Sequence, residues 1–164
     1  MRCPLRKVIF ADPSKCVGCG ICELACAEYH EKKYGLKFSR IRNVKIGHTI
    51  RVSVTCRFCE KPPCVASCPR NALRSNENGV ISVDEERCTG CGWCIVACDL
   101  GLMLFHPTKR VPITCDLCDG EPQCIKLCPK EALELTTLDA ISSKVRMSTV
   151  KELILAAEEA RVSA

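Results

Sequence analysis

Sixteen of the seventeen cysteines in this 164-residue chain fall into four groups of four. The first is Cys16, Cys19, Cys22 and Cys26, with gaps of two, two and three residues. The second is Cys56, Cys59, Cys64 and Cys68, with gaps of two, four and three. The third, Cys88, Cys91, Cys94 and Cys98, repeats the first spacing, and the fourth, Cys115, Cys118, Cys124 and Cys128, has gaps of two, five and three. Cys3 stands apart. An internal repeat of this kind constrains the architecture before any local propensity is read. Ordinary core material is scarce, with one Trp, two Tyr and four Phe. Cysteine chemistry must therefore fill much of the interior.

Several classes drop out. No run approaches the roughly 18 consecutive apolar residues of a membrane helix. Residues 1–12 show neither an apolar signal core nor a twin arginine. The expected location is the cytoplasm, where disulfides are rare, so a secreted disulfide scaffold loses its main support. Charged residues at 26% and hydrophobics at 47% argue against disorder.

Each group matches the ligand run of a bacterial ferredoxin. There, three closely spaced thiolates hold one [4Fe–4S] cluster and the fourth ligates the other cluster of a pair. Gly18, Gly20, Gly90 and Gly92 lie between ligands. A loop wrapping a cluster needs positive φ and close backbone approach, which glycine allows, and its N–H groups can then point at sulfur. Zinc is the competing reading. Four-cysteine zinc sites usually pair two Cys-x-x-Cys units across a longer loop. Here a third cysteine follows each pair after two to five residues, and Pro69 and Pro129 follow the fourth cysteine of groups two and four. The pattern favours four [4Fe–4S] clusters. His30, His48 and His106 are iron ligands in principle, but sixteen cysteines already saturate four clusters. With their thiolates and cluster cores counted, the formal charge of +5 becomes about −3. Nucleic-acid binding wants a positive face, so none is expected.

The segments between groups suggest the pairing. Residues 69–87 join group two to group three. They read as a helix turn after Cys68-Pro69, a polar turn at Glu77-Asn78-Gly79, and the alternating strand Val80-Ile81-Ser82-Val83. That looks like the linker inside a two-cluster ferredoxin. The same linker occurs permuted for groups four and one. Cys128-Pro129-Lys130-Glu131-Ala132-Leu133-Glu134-Leu135 matches its first half, and Lys7-Val8-Ile9-Phe10-Ala11-Asp12 its second. The expected fold is α+β, with an outer ferredoxin-like unit (1–50 with 105–140), an inner unit nested in it (51–104) and a C-terminal helical extension (141–164). Crossed ligation gives four predicted sites. Site one is Cys16, Cys19, Cys22 and Cys128. Site two is Cys115, Cys118, Cys124 and Cys26. Site three is Cys56, Cys59, Cys64 and Cys98, and site four is Cys88, Cys91, Cys94 and Cys68. Consecutive pairing, one with two and three with four, is the alternative.

The frame resembles the four-cluster electron-transfer subunits of the dimethyl-sulfoxide-reductase type. Ala11-Asp12-Pro13-Ser14-Lys15-Cys16 and Cys59-Glu60-Lys61-Pro62-Pro63-Cys64-Val65-Ala66-Ser67-Cys68-Pro69 carry the likeness, which extends over about residues 8–136. The resemblance also favours the nested pairing. It implies a non-catalytic subunit beside a large molybdenum or tungsten oxidoreductase, with a flavin subunit or a ferredoxin as a further partner. Without a membrane anchor or twin arginine, the chain also resembles the small subunit of tungsten aldehyde oxidoreductases. The sequence shows no phosphate loop and no nucleophile paired with a base. A free-standing polyferredoxin shuttle, or a partner of CO dehydrogenase or hydrogenase, is the alternative.

Other segments say less. Lys32, Lys33, Lys37, Arg40, Arg42 and Lys45 occur within 32–45 with no acidic residue, as a solvated face or as a docking surface for an acidic patch. Residues 49–55 alternate as a strand after a turn at Gly47-His48. Trp93 is expected to shield a cluster, with contact to a partner as the alternative, and Cys3 to be a free thiol near a strand. Residues 148–161 read as a helix with a capping box at Thr149 and Glu152. Its apolar stripe of Val150, Leu153, Ile154 and Ala157 packs either on this chain or on a catalytic subunit.

Overall fold

A computed structural model describes residues 6–47 and 50–162. Cys3 and His48 lie outside the described residues. The chain runs β1 (Lys7–Ala11), α1 (Ile21–Glu31), a 3-10 turn at Leu36–Phe38, β2 (Arg42–Ile46), β3 (Ile50–Val54) and α2 (Pro63–Ala66). It continues through β4 (Leu73–Ser75), β5 (Ile81–Val83), α3 (Trp93–Val96), β6 (Leu104–Phe105) and β7 (Pro112–Ile113). A 3-10 segment at Leu117–Gly120, α4 (Gln123–Lys126), β8 (Leu133–Thr137) and α5 (Leu138–Val162) complete it. The fold is thus mixed helix and strand.

Among the described residues the strands form four separate antiparallel pairs. Three are local, β2 with β3, β4 with β5 and β6 with β7. The fourth joins distant segments, β1 to β8, with Lys7 opposite Thr137 and Ala11 opposite Leu133. The same device closes two of these pairs. The N–H of Asp12 donates to Ala132 O, and that of Asp84 to Ala72 O, both at 2.8 Å. Each aspartate then turns the chain into a ligand loop, Asp12 by accepting from Ser14 N at 2.9 Å and Asp84 from Glu86 N at 3.1 Å. The Ser14 hydroxyl and amide hold the Asp12 carboxyl below its ordinary value.

The helices α2, α3 and α4 have four residues each, far below what persists alone in water. Each carries the third cysteine of its group, Cys64, Cys94 or Cys124, on its buried side. After groups two and four the prolines Pro69 and Pro129 follow, and after group three Gly101 turns the chain at φ 61°. Group one has neither signal close by, so α1 runs eleven residues and buries Cys22 and Cys26 one turn apart.

Among the described residues cysteines take part in all three apolar cores. The first packs Cys22, Cys26 and Cys124 with Ala11, Ile41 and Leu133. The second packs Cys64 and Cys94 with Leu73, Ile81 and Met103. The third is a seam of Val8, Phe58, Cys115 and Leu117, with Cys56 against it. Phe58 and Leu117 occupy the loop position held by Gly18 and Gly90 in the other groups, and all four have positive φ, between 50° and 67°. For a bulky residue this costs about 1–2 kcal/mol. Burying a large apolar side chain returns a similar amount, and Phe58 is 1% exposed.

At Gly90 the conformation is enforced twice, because a Cβ there would meet Arg110 O at 2.6 Å. Gly90→Ala is expected to destabilise the anaerobic protein by about 1–3 kcal/mol. Gly101→Ala, at φ +61° with nothing within 4 Å of its Cβ, should cost only the backbone strain of about 1–2 kcal/mol. Thermal midpoints of the two variants check this, and equal losses would mean that the loop moves to relieve the clash.

Two expectations are corrected. Helix α5 begins at Leu138, ten residues before the expected start and three before the expected extension. Its first turn is held by Thr137 Oγ1, which accepts from Ala140 N at 3.3 Å. Thr149 is interior, its hydroxyl donating to Val145 O at 3.0 Å, so it is not a cap. The basic segment 32–45 is not one solvated face either, since it contains β2, the partner of β3. Among the described residues no helix is long and apolar enough to cross a membrane.

Candidate iron–sulfur centres

Cys16, Cys19, Cys22 and Cys128 line one small cavity of about 20 Å³. Cys68, Cys88, Cys91 and Cys94 line another of about 20 Å³. Cys56, Cys59, Cys64 and Cys98 open on a wider cavity of about 730 Å³. Cys26 lies close enough to Cys115, Cys118 and Cys124 for its charge to raise all three thiols. None of the sixteen is in a disulfide.

The donor sets fit an iron–sulfur cluster. Burial, then the charges of Cys26, Cys118 and Cys22, push the Cys124 thiol up to about 12. Burial, then Cys56, pushes Cys64 up to about 11. Thiols so hard to ionise stay protonated unless a cation binds among them, and a bound metal deprotonates its thiol ligands outright. All-cysteine sets suit [4Fe–4S] clusters, whose sulfurs also take hydrogen bonds from the protein.

Those hydrogen bonds are present. The amide of Ala72 donates to Cys68 Sγ at 3.3 Å, that of Leu102 to Cys98 Sγ at 3.4 Å, and that of Ala132 to Cys128 Sγ at 3.4 Å. In each case the donor lies four residues on, after a residue at positive φ, namely Asn71, Gly101 or Glu131. Burial pushes the Cys68 thiol up, but the amides of Ala72, Arg70, Leu73 and Asn71 outweigh it and leave it below its ordinary value. Cys26 cannot use this device, because α1 continues past it. Its Sγ receives instead the amide of Arg40, at 3.3 Å.

The β2–β3 hairpin covers the first cavity. Ser53 Oγ lies 3.3 Å from Cys22 Sγ and donates to Asn43 Oδ1 at 3.0 Å. The alternating pattern of this strand points to Ile50, Val52 and Val54, yet Ser53 on the other face meets the cysteines and Ile50 is exposed. Around Cys26 and Cys118, Arg40 Nη1 contacts Asp116 Oδ2 at 2.5 Å and His30 Nδ1 at 2.7 Å. His30 Nε2 is 3.7 Å from Cys118 Sγ. Burial, then Arg40, holds the His30 imidazole below its ordinary value. His106 is buried elsewhere, with Nε2 3.0 Å from Glu31 Oε2.

Exposure divides the four sets. Cys19, Cys59 and Cys91 are exposed, one in each of three sets, whereas Cys26, Cys115, Cys118 and Cys124 are all buried. Trp93 stands mostly in solvent, 61% exposed, instead of covering a site. It is the first residue of α3, while Cys94 one residue later is buried.

Comparison with known proteins identifies iron–sulfur domains. Residues 48–138 match the 4Fe-4S dicluster domain, and residues 9–26 match the 4Fe-4S binding domain. The chain belongs to the 4Fe-4S dicluster family. It is 38% identical to the aliphatic sulfonate oxidoreductase polyferredoxin-like subunit of Pyrococcus furiosus, over 79% of this chain and 77% of that one. It is 31% identical to the thiosulfate reductase electron transfer subunit PhsB of Salmonella typhi, over 96% and 88%. It is 33% identical to a subunit of the anaerobic dimethyl sulfoxide reductase of Escherichia coli, over 82% and 75%. Dicluster-family membership and the cysteine sets make this an iron–sulfur electron-transfer subunit carrying multiple [4Fe–4S] clusters.

Proposed function

We propose that the chain carries four [4Fe–4S] clusters in series and wires a catalytic oxidoreductase subunit to a second redox partner. The ligand sets are those read from the sequence. Cys16, Cys19, Cys22 and Cys128 hold the first cluster, and Cys115, Cys118, Cys124 and Cys26 the second. Cys56, Cys59, Cys64 and Cys98 hold the third, and Cys88, Cys91, Cys94 and Cys68 the fourth. The grouping of cysteines around shared cavities supports the nested arrangement of two ferredoxin-like units.

One observation carries the wire: the three cores link the sites in order. Cys22, Cys26 and Cys124 share a core between sites one and two. Phe58 packs between Cys115 and Cys56, joining sites two and three. Cys64 and Cys94 share the core between sites three and four. With four cysteines per cluster, no iron position is left open for substrate, so the chemistry is outer-sphere electron transfer. The first, third and fourth sites reach the surface through Cys19, Cys59 and Cys91, while the second is an interior relay.

The catalytic partner is a tungsten or molybdenum enzyme, in keeping with the oxidoreductases named for the relatives. A flavin subunit or a ferredoxin serves as the other terminus. Sites built from reduced cysteine suit a reducing compartment, so the complex belongs in the cytoplasm, which cell fractionation tests.

Helix α5 offers the contact. Ile141 packs on the seam, but Val150, Leu153 and Ile154 are exposed. At about 100° per residue, Val150 lies on the side of the helix opposite Ile141. Removing residues 148–164 is expected to weaken association with the large subunit at least about tenfold, as loss of buried apolar anchors does, while leaving the iron content unchanged. Co-purification from native extract and titration of the truncated chain against the large subunit test this. A native monomer that exchanges electrons equally with unrelated partners would make the protein a shuttle instead.

A further inference from the structure

We propose that Arg40 and Asp116 set the reduction potential of the second cluster, the arginine raising it and the aspartate lowering it. The inference rests on the ligand set proposed for that site, Cys26, Cys115, Cys118 and Cys124.

The argument starts from the anomaly at Cys26. The other three crossing cysteines, Cys68, Cys98 and Cys128, take an amide from four residues on. Any residue except proline could supply that bond. At Cys26 the helix removes this option, and the amide comes from Arg40. A long cationic side chain is thereby anchored beside the site, whose four cysteines are all buried.

The side chain then turns inward, against the expectation for a basic surface segment. The Arg40 side chain is 18% exposed and that of Asp116 31%, and His30 beside them is 9% exposed. The ligand-type atoms of His30, Asp116 and Cys118 lie within 4.8 Å of one another. That spacing suits a cation, and the Arg40 guanidinium is the cation there, bonded to both His30 and Asp116. Asp116 is in turn fixed to the ligand loop, its Oδ1 accepting from Cys118 N at 3.0 Å.

Two opposite charges therefore sit beside one cluster with little water to screen them. Cluster potentials respond to local charge, hydrogen bonds to sulfur and solvent exposure, and partly buried charges act over several ångströms at low effective dielectric. A cation stabilises the added electron and an anion opposes it. His30 holds the guanidinium against the Cys118 side of the site.

The test is a redox titration followed by electron paramagnetic resonance on the anaerobically purified full chain. Arg40→Gln should shift one of the four clusters to lower potential, changing its reduced-to-oxidised ratio at fixed ambient potential by about tenfold or more. Asp116→Asn should shift the same cluster upward, and Arg40→Lys should leave it near the native value. The Arg40 amide remains in every variant, so loss of that bond cannot mimic the result. If Arg40→Gln loses the cluster, Asp116→Asn and Arg40→Lys decide the matter. Shifts of the same sign in Arg40→Gln and Asp116→Asn, shifts spread over all clusters, or no shift in Asp116→Asn would overturn the proposal. Iron analysis of the unmodified protein comes first, because a missing cluster there would defeat the four-cluster reading rather than the tuning by Arg40.

Discussion

Anaerobic chelation is expected to strip about sixteen iron atoms from each chain and to unfold most of it. The reason lies in what holds the elements together. Each sheet has two strands, of two to five residues, and such hairpins are marginal on their own. The helices α2, α3 and α4 have only four residues each. Among the described residues every apolar core includes cysteine side chains. Without metal these thiols sit beside one another uncrosslinked, and as the proposed cluster ligands they would become the cross-links of the core. Binding energy is then folding energy. Iron and sulfide analysis with circular dichroism before and after chelation checks both halves. Stoichiometric zinc, or a colourless chain that keeps its near-ultraviolet signal, would contradict them.

Cys128→Ala and Cys16→Ala are expected to abolish the same cluster although 111 residues separate them. The two cysteines line one cavity. The β1–β8 pairing carries Asp12 to Ala132, so the loop that begins at Cys16 and the turn that follows Cys128 meet at one edge. Each variant should lose about a quarter of the iron and the same paramagnetic signal in the reduced protein. Cys88→Ala and Cys68→Ala should remove a different signal, common to that pair. If Cys128→Ala removes the signal lost in Cys88→Ala, the consecutive pairing holds instead.

Much of this protein is legible without coordinates because the cysteine loops are local. Cysteines two to five residues apart, with Gly18 or Gly90 between them, can wrap only a compact object, and the chain shows positive φ at both glycines. The segments expected as strands beside the loops agree closely, 7–12 and 80–83 containing β1 and β5, and 133–135 lying within β8. The start of α5 was not legible. Its first ten residues, Leu138 to Met147, mix Ser, Lys and Asp with isolated apolar residues, and the turn is fixed by Thr137 against its own backbone. Phe58 and Leu117 gave no signal either, since bulky residues at positive φ are disfavoured locally and are stabilised only through the seam they fill.

By itself, the sequence determined the inventory of thiols, their grouping in fours, the loops that present them and the mixed helix-and-strand character, all set by covalent spacing over a few residues. Only the tertiary structure decided what surrounds each group. Ser53 reaches Cys22 because the β2–β3 hairpin folds over the first cavity. Arg40 reaches Asp116 across 76 positions because α1 continues past Cys26 and leaves its sulfur to a distant amide. Such contacts depend on how separated segments pack, and short-range pattern carries no information about a neighbour that arrives from elsewhere in the chain.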